Sequence, residues 1–192
     1  MRAVGDDRVL EHHDDAVANG PPGAVVVQDA VAPFDDYIAT DAGVFVDDRP
    51  GDARTAPDPD GDGFLIGTHE GIYAVTADGE LGPRIGGNDF DAMGLTALDG
   101  DLIASGHPGR NTPTELGERN LGIIRSQDGG ETWDSVAFTG EKDFHALTAG
   151  PDGALYGQDA GDGAVLISTD RGVSWSPTGS TLLVFGLEVD AA

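Results

Sequence analysis

Ser126-Gln127-Asp128-Gly129-Gly130-Glu131-Thr132-Trp133 recurs forty-two positions later as Ser168-Thr169-Asp170-Arg171-Gly172-Val173-Ser174-Trp175. Both copies fit the pattern S-x-D-x-G-x-[T/S]-W. An apolar run leads into each serine (121–124 and 164–167) and a Trp opens the segment that follows, so each copy reads as a hairpin turn between two strands. Asp and Ser side chains accept hydrogen bonds from nearby backbone N–H groups and hold a tight turn, and Gly supplies a positive φ without steric cost. Trp then buries a flat ring between neighbouring sheets while offering its N–H to a carbonyl. A unit of about 40 residues, built on a fixed turn with strands on either side, predicts a blade of a β-propeller. The expected fold is all-β, with four-stranded antiparallel blades.

The eight-residue pattern resembles the Asp-box, or BNR repeat, of sialidase-like propellers. The resemblance implies a structural role for Ser126, Asp128, Gly130, Thr132 and Trp133, and for Ser168, Asp170, Gly172, Ser174 and Trp175. In that family the box staples the outer hairpin of a blade, opposite the ligand face, and takes no part in catalysis.

Composition limits the rest. A chain of 192 residues is long enough for one well-buried domain, and it holds no cysteine, so disulfides and thiolate metal sites are excluded. No stretch approaches the ~18 apolar residues of a membrane span. Residues 1–20 carry charges where a signal peptide needs an apolar core. As written, the sequence predicts a cytoplasmic protein; a natural start further upstream would predict export. The net charge is −25, from 27 Asp and 8 Glu against 9 Arg and a single lysine, Lys142. Asp residues spread along the chain and scarce lysine are the balance of a halophilic surface, whose mutual repulsion strong salt screens. Nucleic acid and anionic lipid are excluded as partners on the same ground.

Residues 1–23 read as an irregular lead-in and 24–192 as a single propeller domain. A strand-like run at 24–30 is followed by 37–46, which matches 65–73 as the same hairpin (Ile38/Ile66, Thr40/Thr68, Gly43/Gly71, Phe45/Tyr73). Between them, 47–63 reads as a Pro-, Gly- and Asp-rich loop. Its end, Asp58-Pro59-Asp60-Gly61-Asp62-Gly63, mimics the start of a calcium loop but meets His69 where the bidentate Glu belongs, so it reads as a solvated turn. Strands then group into blades: 64–69, 71–76 and 80–85; 93–98, 101–107, 122–125 and 133–138; 144–149, 154–158, 165–167 and 175–178. A last run, 182–189, reads as the innermost strand of a further blade. About fifteen strands make about four blades, consistent with a larger propeller cut short. The last run completes an earlier blade, stays open, or pairs with a partner protein or a second copy.

Strand polarity locates a candidate site. In a propeller the loop entering the innermost strand and the loop leaving the second strand open on one face. His145 enters an innermost strand; His69 and His107 leave second strands. The three histidines, with Glu70, Asp143 and Asp159, are therefore expected near the central channel, opposite the boxes. Imidazoles and carboxylates together suit zinc or another transition metal. Arg110 lies in the insertion 108–119, which leaves the same face as a lid or a surface excursion.

Beyond the boxes, Gly67-Thr68-His69-Glu70-Gly71-Ile72, Ala104-Ser105-Gly106-His107-Pro108-Gly109, 120–126 and Asp143-Phe144-His145-Ala146-Leu147 resemble the small BNR-repeat "glycosyl hydrolase" proteins of bacteria and archaea. The resemblance spans about 62–178 and implies a glycosyl hydrolase class; with the histidine face, the expected partner is a small-molecule, glycan or metal ligand. A glycosidase of the sialidase type also needs an arginine triad, a Tyr nucleophile and an acid/base carboxylate on six blades. Tyr37, Tyr73 and Tyr156 sit inside strand patterns, and Pro83-Arg84-Ile85 lacks the order of the Arg-Ile-Pro motif. The reading is a non-catalytic ligand- or metal-binding or assembly propeller with a His-bearing face; an exo-sialidase-like glycoside hydrolase and a protein-interaction platform are the rivals.

Overall fold

The computed structural model describes residues 25–26, 55–58, 63–181 and 186–189. The lead-in 1–23, the hairpin expected over 37–46 and residues 59–62 of the acidic turn lie outside the described residues. The protein is a β-propeller whose blades follow the chain. Blade one is β2 (Thr55–Pro57), β3 (Phe64–Thr68), β4 (Gly71–Val75) and β5 (Leu81–Arg84). Blade two is β6 (Asp91–Leu98), β7 (Asp101–His107), β8 (Ile123–Ser126) and β9 (Asp134–Ala137). Blade three is β10 (Phe144–Ala149), β11 (Leu155–Asp159), β12 (Ala164–Ser168) and β13 (Ser176–Thr181). Each is an antiparallel meander in sequence order. A short fourth sheet joins β1 (Val25–Val26) to β14 (Glu188–Val189), antiparallel.

One expectation is corrected and another is narrowed. Residues 55–57 lie in the stretch read as a loop, yet they form the innermost strand of blade one, with Ala56 only 2% exposed. Their pairing with β3, Ala56 opposite Leu65, outweighs the local turn composition. The end of the C-terminal run, 188–189, pairs with the N-terminal run of its own chain, so this part of the edge is met internally.

Both boxes make the same hydrogen bonds. The Ser126 hydroxyl donates to Asp128 Oδ1 (2.8 Å) and accepts from the Gly130 N–H (2.8 Å); Asp128 accepts from the Thr132 N–H (2.9 Å) and hydroxyl (2.6 Å). Ser168, Asp170, Gly172 and Ser174 repeat the set, and each Trp indole donates to the carbonyl of its box glycine, at 3.0 Å for Trp133 and 2.8 Å for Trp175. Gly130 and Gly172 hold φ of 97° and 88°, where a side chain would be strained.

The apolar core lies between the blades. Phe90, 0% exposed, meets Trp133 edge-on at 5.4 Å between blades one and two. Phe144, equally buried, stacks on Trp175 at 5.3 Å beside Ile103, Ile123 and Leu155. β7 ends at His107, while antiparallel β8 ends at Ser126, so boxes and histidines occupy opposite ends of the strands.

Candidate metal centre

The site is assembled from blade ends. His107 closes β7 and stands across the ladder from Asp91, the first residue of β6. Their close approach needs a glycine beside them: a Cβ on Gly106 would lie 1.9 Å from the Asp91 carbonyl oxygen. In β10, Phe144 and Ala146 face consecutive residues of β11, Asp159 and Gln158, which leaves His145 as the extra residue of a bulge. A bulge re-aims a side chain, and here it turns His145 out of the buried row of Phe144 and Ala146. β6 carries the same irregularity at Met93, between Ala92 and Gly94. The buried Ser105 hydroxyl accepts from the Phe144 N–H at 2.9 Å, tying blade three to blade two between Asp143 and His145.

These constraints bring His107 and His145 to one carboxylate. Asp143 Oδ2 lies 2.7 Å from His145 Nε2 and 3.1 Å from His107 Nε2, with the two rings 6.2 Å apart between centroids. One donor atom from each of the three residues falls within 4.8 Å of the others, a spacing that a single ion could span. Asp143 is 8% exposed, and its second oxygen, Oδ1, is buried with no hydrogen-bond partner. A buried, unpaired carboxylate oxygen is costly unless water or a cation meets it.

The other expected residues divide. His69 stands at the turn after β3, with Nδ1 2.8 Å from Asp91 Oδ2; it joins the assembly through Asp91. Asp91, whose role spacing alone did not indicate, therefore faces two imidazoles, His107 Nδ1 being 3.8 Å from the same oxygen. Asp159 lines the cleft, but its carboxylate is engaged by the Lys142 ammonium and by the Gly161 N–H at 3.0 Å. That hydrogen bond with Lys142, against the opposing effect of burial, raises the Lys142 pKa above its ordinary value. Glu70 is exposed beside His69, and Arg110 is exposed outside the cleft lining. The insertion carrying Arg110 is anchored: Asp89 accepts from the Asn111 N–H (3.0 Å), its side-chain amide (3.0 Å) and the Thr112 hydroxyl (3.3 Å), and Leu116 is buried. Burial acts to raise the Asp89 pKa, but these hydrogen bonds outweigh it and hold the carboxyl below its usual range.

His107, Asp143, His145 and Lys142 open on a cleft of about 420 Å³, which Asn120, Glu141, Asp159 and Gly161 also line. Three carboxylates against one ammonium favour a cationic occupant. Two imidazoles and a carboxylate match the donor types of zinc and related ions, with a coordination position left for a ligand from the cleft.

No protein-family profile matches the chain, and no curated protein matches it. Among solved structures it is similar to a protein provisionally described as a gluconolactonase, at 18% identity and a TM-score of 0.46. That match covers 65% of this chain and 47% of the other, so the chain spans about half its length. No helix among the described residues is long and apolar enough to cross a membrane.

Proposed function

We propose that this chain is an Asp-box propeller that binds a divalent transition metal, of the zinc class, through His107, Asp143 and His145, and presents it to a small ligand in the adjoining cleft. The observation that carries the reading is Asp143: one oxygen between two imidazole Nε2 atoms, the other buried without a partner. A bound ion replaces those hydrogen bonds with coordination and satisfies the orphaned oxygen. Lys142 neutralises Asp159 and keeps the cleft charge from excluding an anionic co-ligand.

The test is metal content and zinc titration in molar salt, on the wild type and on a His107→Ala/His145→Ala variant whose Trp fluorescence reports an intact fold. Stoichiometric zinc in the wild type and none in the folded variant is expected. Equal zinc in both overturns the reading.

Glu141, Asp143 and Asp159 around one cleft give a glycoside hydrolase a second hearing, since glycosidases use carboxylate pairs about 5–9.5 Å apart. A glycoside panel including sialosides separates the two: turnover lost in Asp143→Asn but indifferent to zinc favours the hydrolase.

A further inference from the structure

His107 has a carboxylate at each ring nitrogen. Nε2 faces Asp143 Oδ2 at 3.1 Å, and Nδ1 faces Asp91 Oδ2 at 3.8 Å. Each of those oxygens faces a second imidazole, His145 Nε2 at 2.7 Å and His69 Nδ1 at 2.8 Å. The assembly is thus a His–carboxylate–His arrangement occurring twice, with His107 common to both; the second is the more open, since among the described residues only His107, Asp143 and His145 bring their donor atoms mutually within 4.8 Å. We propose that His69, Asp91 and the Nδ1 edge of His107 form a second divalent-cation position, so that the face holds two ions bridged by His107 as an imidazolate, its ring N–H proton passing to solvent when the second ion binds. The inference rests on the first site being a metal site and extends it.

Three observations favour coordination over mere orientation of His107. A spacing of 3.8 Å is too long for an N–H···O hydrogen bond, so Asp91 does not fix the His107 tautomer through one. It is close to the ~3.4 Å that separates two donors around a tetrahedral ion with bonds near 2.1 Å. The His69 ring is 54% exposed and the His107 ring 43%, so both have room to turn inward, while the backbone beneath them is fixed. Asp91 and His107 are ladder partners, and the Thr68 hydroxyl, bonded to the Gly71 carbonyl and the Glu70 N–H, holds the turn that carries His69. Imidazole and carboxylate donors select zinc, copper or nickel over magnesium. Two dications across one ring repel, so the second ion binds more weakly than the first.

Equilibrium dialysis against zinc tests this, in molar KCl with excess magnesium to occupy carboxylates that act without histidine. The wild type is expected to hold two ions per chain, and Asp91→Asn and His69→Ala one each, with the tighter ion unchanged. His69 is exposed, so its variant keeps the fold. Loaded with copper(II), the wild type should give an exchange-coupled electron paramagnetic resonance spectrum that His69→Ala converts to that of an isolated ion. One ion in the wild type, unaffected by His69→Ala, overturns the second position and leaves the first. Two ions retained in both variants overturn its placement, and no ion in the wild type overturns both sites.

Discussion

The Arg171 guanidinium of the second box, in blade three, lies 2.6 Å from the Asp101 carboxylate of blade two, whose side chain is 10% exposed. Arg171 occupies the turn position held in the first box by Gly129, and it does so at φ 61° against 71° for the glycine. A non-glycine residue in the left-handed region costs about 1 kcal/mol. The ion pair across the blade interface gives that cost a structural purpose, because it supplies a nearly buried carboxylate with the nearer of two guanidinium partners, Arg125 lying 4.0 Å from the same oxygen.

The two contributions separate by substitution. Arg171→Ala loses the pair and keeps the backbone strain, whereas Arg171→Gly loses the pair and relieves it. In thermal unfolding at fixed molar salt, Arg171→Ala should be the less stable by about 1 kcal/mol, or roughly 2–4 °C. Equal midpoints would show that the left-handed turn is unstrained here.

The boxes also set a response to acid. Hydrogen bonds from the Ser174 hydroxyl and N–H, joined by that of Ser168, hold the Asp170 pKa down to about 2, and Asp128 is lowered in the same way by Thr132. A depressed carboxyl pKa stabilises the fold fully above its unfolded value of about 4, and the contribution is lost as pH falls toward 2. The stability difference between wild type and Asp170→Asn should therefore be constant from pH 7 to 5 and narrow between about 4 and 2. Trp175, bonded to Gly172 within the same turn, supplies the fluorescence signal. A difference that stays constant down to pH 2 would remove Asp170 from the acid response.

The boxes were legible because their hydrogen bonds are local: donor and acceptor lie within four residues, so a short pattern carries the whole turn. The meeting of His107 and His145 was legible at the level of topology, since strand polarity assigns blade ends to faces. Asp91 was not, because its importance comes from standing across the ladder from His107, sixteen positions away, and such pairing leaves no mark on either segment. The strand at 55–57 was hidden for a related reason: three residues among Pro, Gly and Asp have no period of their own, and only the neighbouring β3 makes them a strand. Lys142 as the partner of Asp159 is likewise a contact between a loop and the end of β11 whose approach the propeller dictates.

Ser105 links packing to the candidate site. Ser105→Ala leaves the buried Phe144 N–H without its acceptor, at a cost of about 1–3 kcal/mol. Thr96→Ala makes the matching change at the other end of the same strand, where the Thr96 hydroxyl accepts from the Ala149 N–H at 3.2 Å. Both variants should lose stability, but only Ser105→Ala should weaken zinc binding, since Phe144 lies between Asp143 and His145. Equal zinc affinities in the two variants would separate the blade contact from the site.

The charge of −25 makes a final prediction about salt. With 35 acidic residues against 10 basic ones, repulsion dominates the surface, while exposed pairs such as Arg171 with Asp99, 3.8 Å apart, contribute little. Salt weakens repulsion and attraction alike, and because the repulsion is the stronger of the two, added salt stabilises the fold. The Debye length falls from ~10 Å at 0.1 M to ~3 Å at 1 M, so most of the gain should arrive by about 1 M KCl. The unfolding midpoint is expected to rise by about 10 °C over that range, the shift that roughly 3–4 kcal/mol produces in a domain of this size, and then to level off. A rise that continues linearly to 4 M would implicate exclusion of salt from the surface instead of screening, because exclusion strengthens burial in proportion to concentration. A fall with salt would mean that the ion pairs outweigh the repulsion, and the acidic surface would then need another explanation.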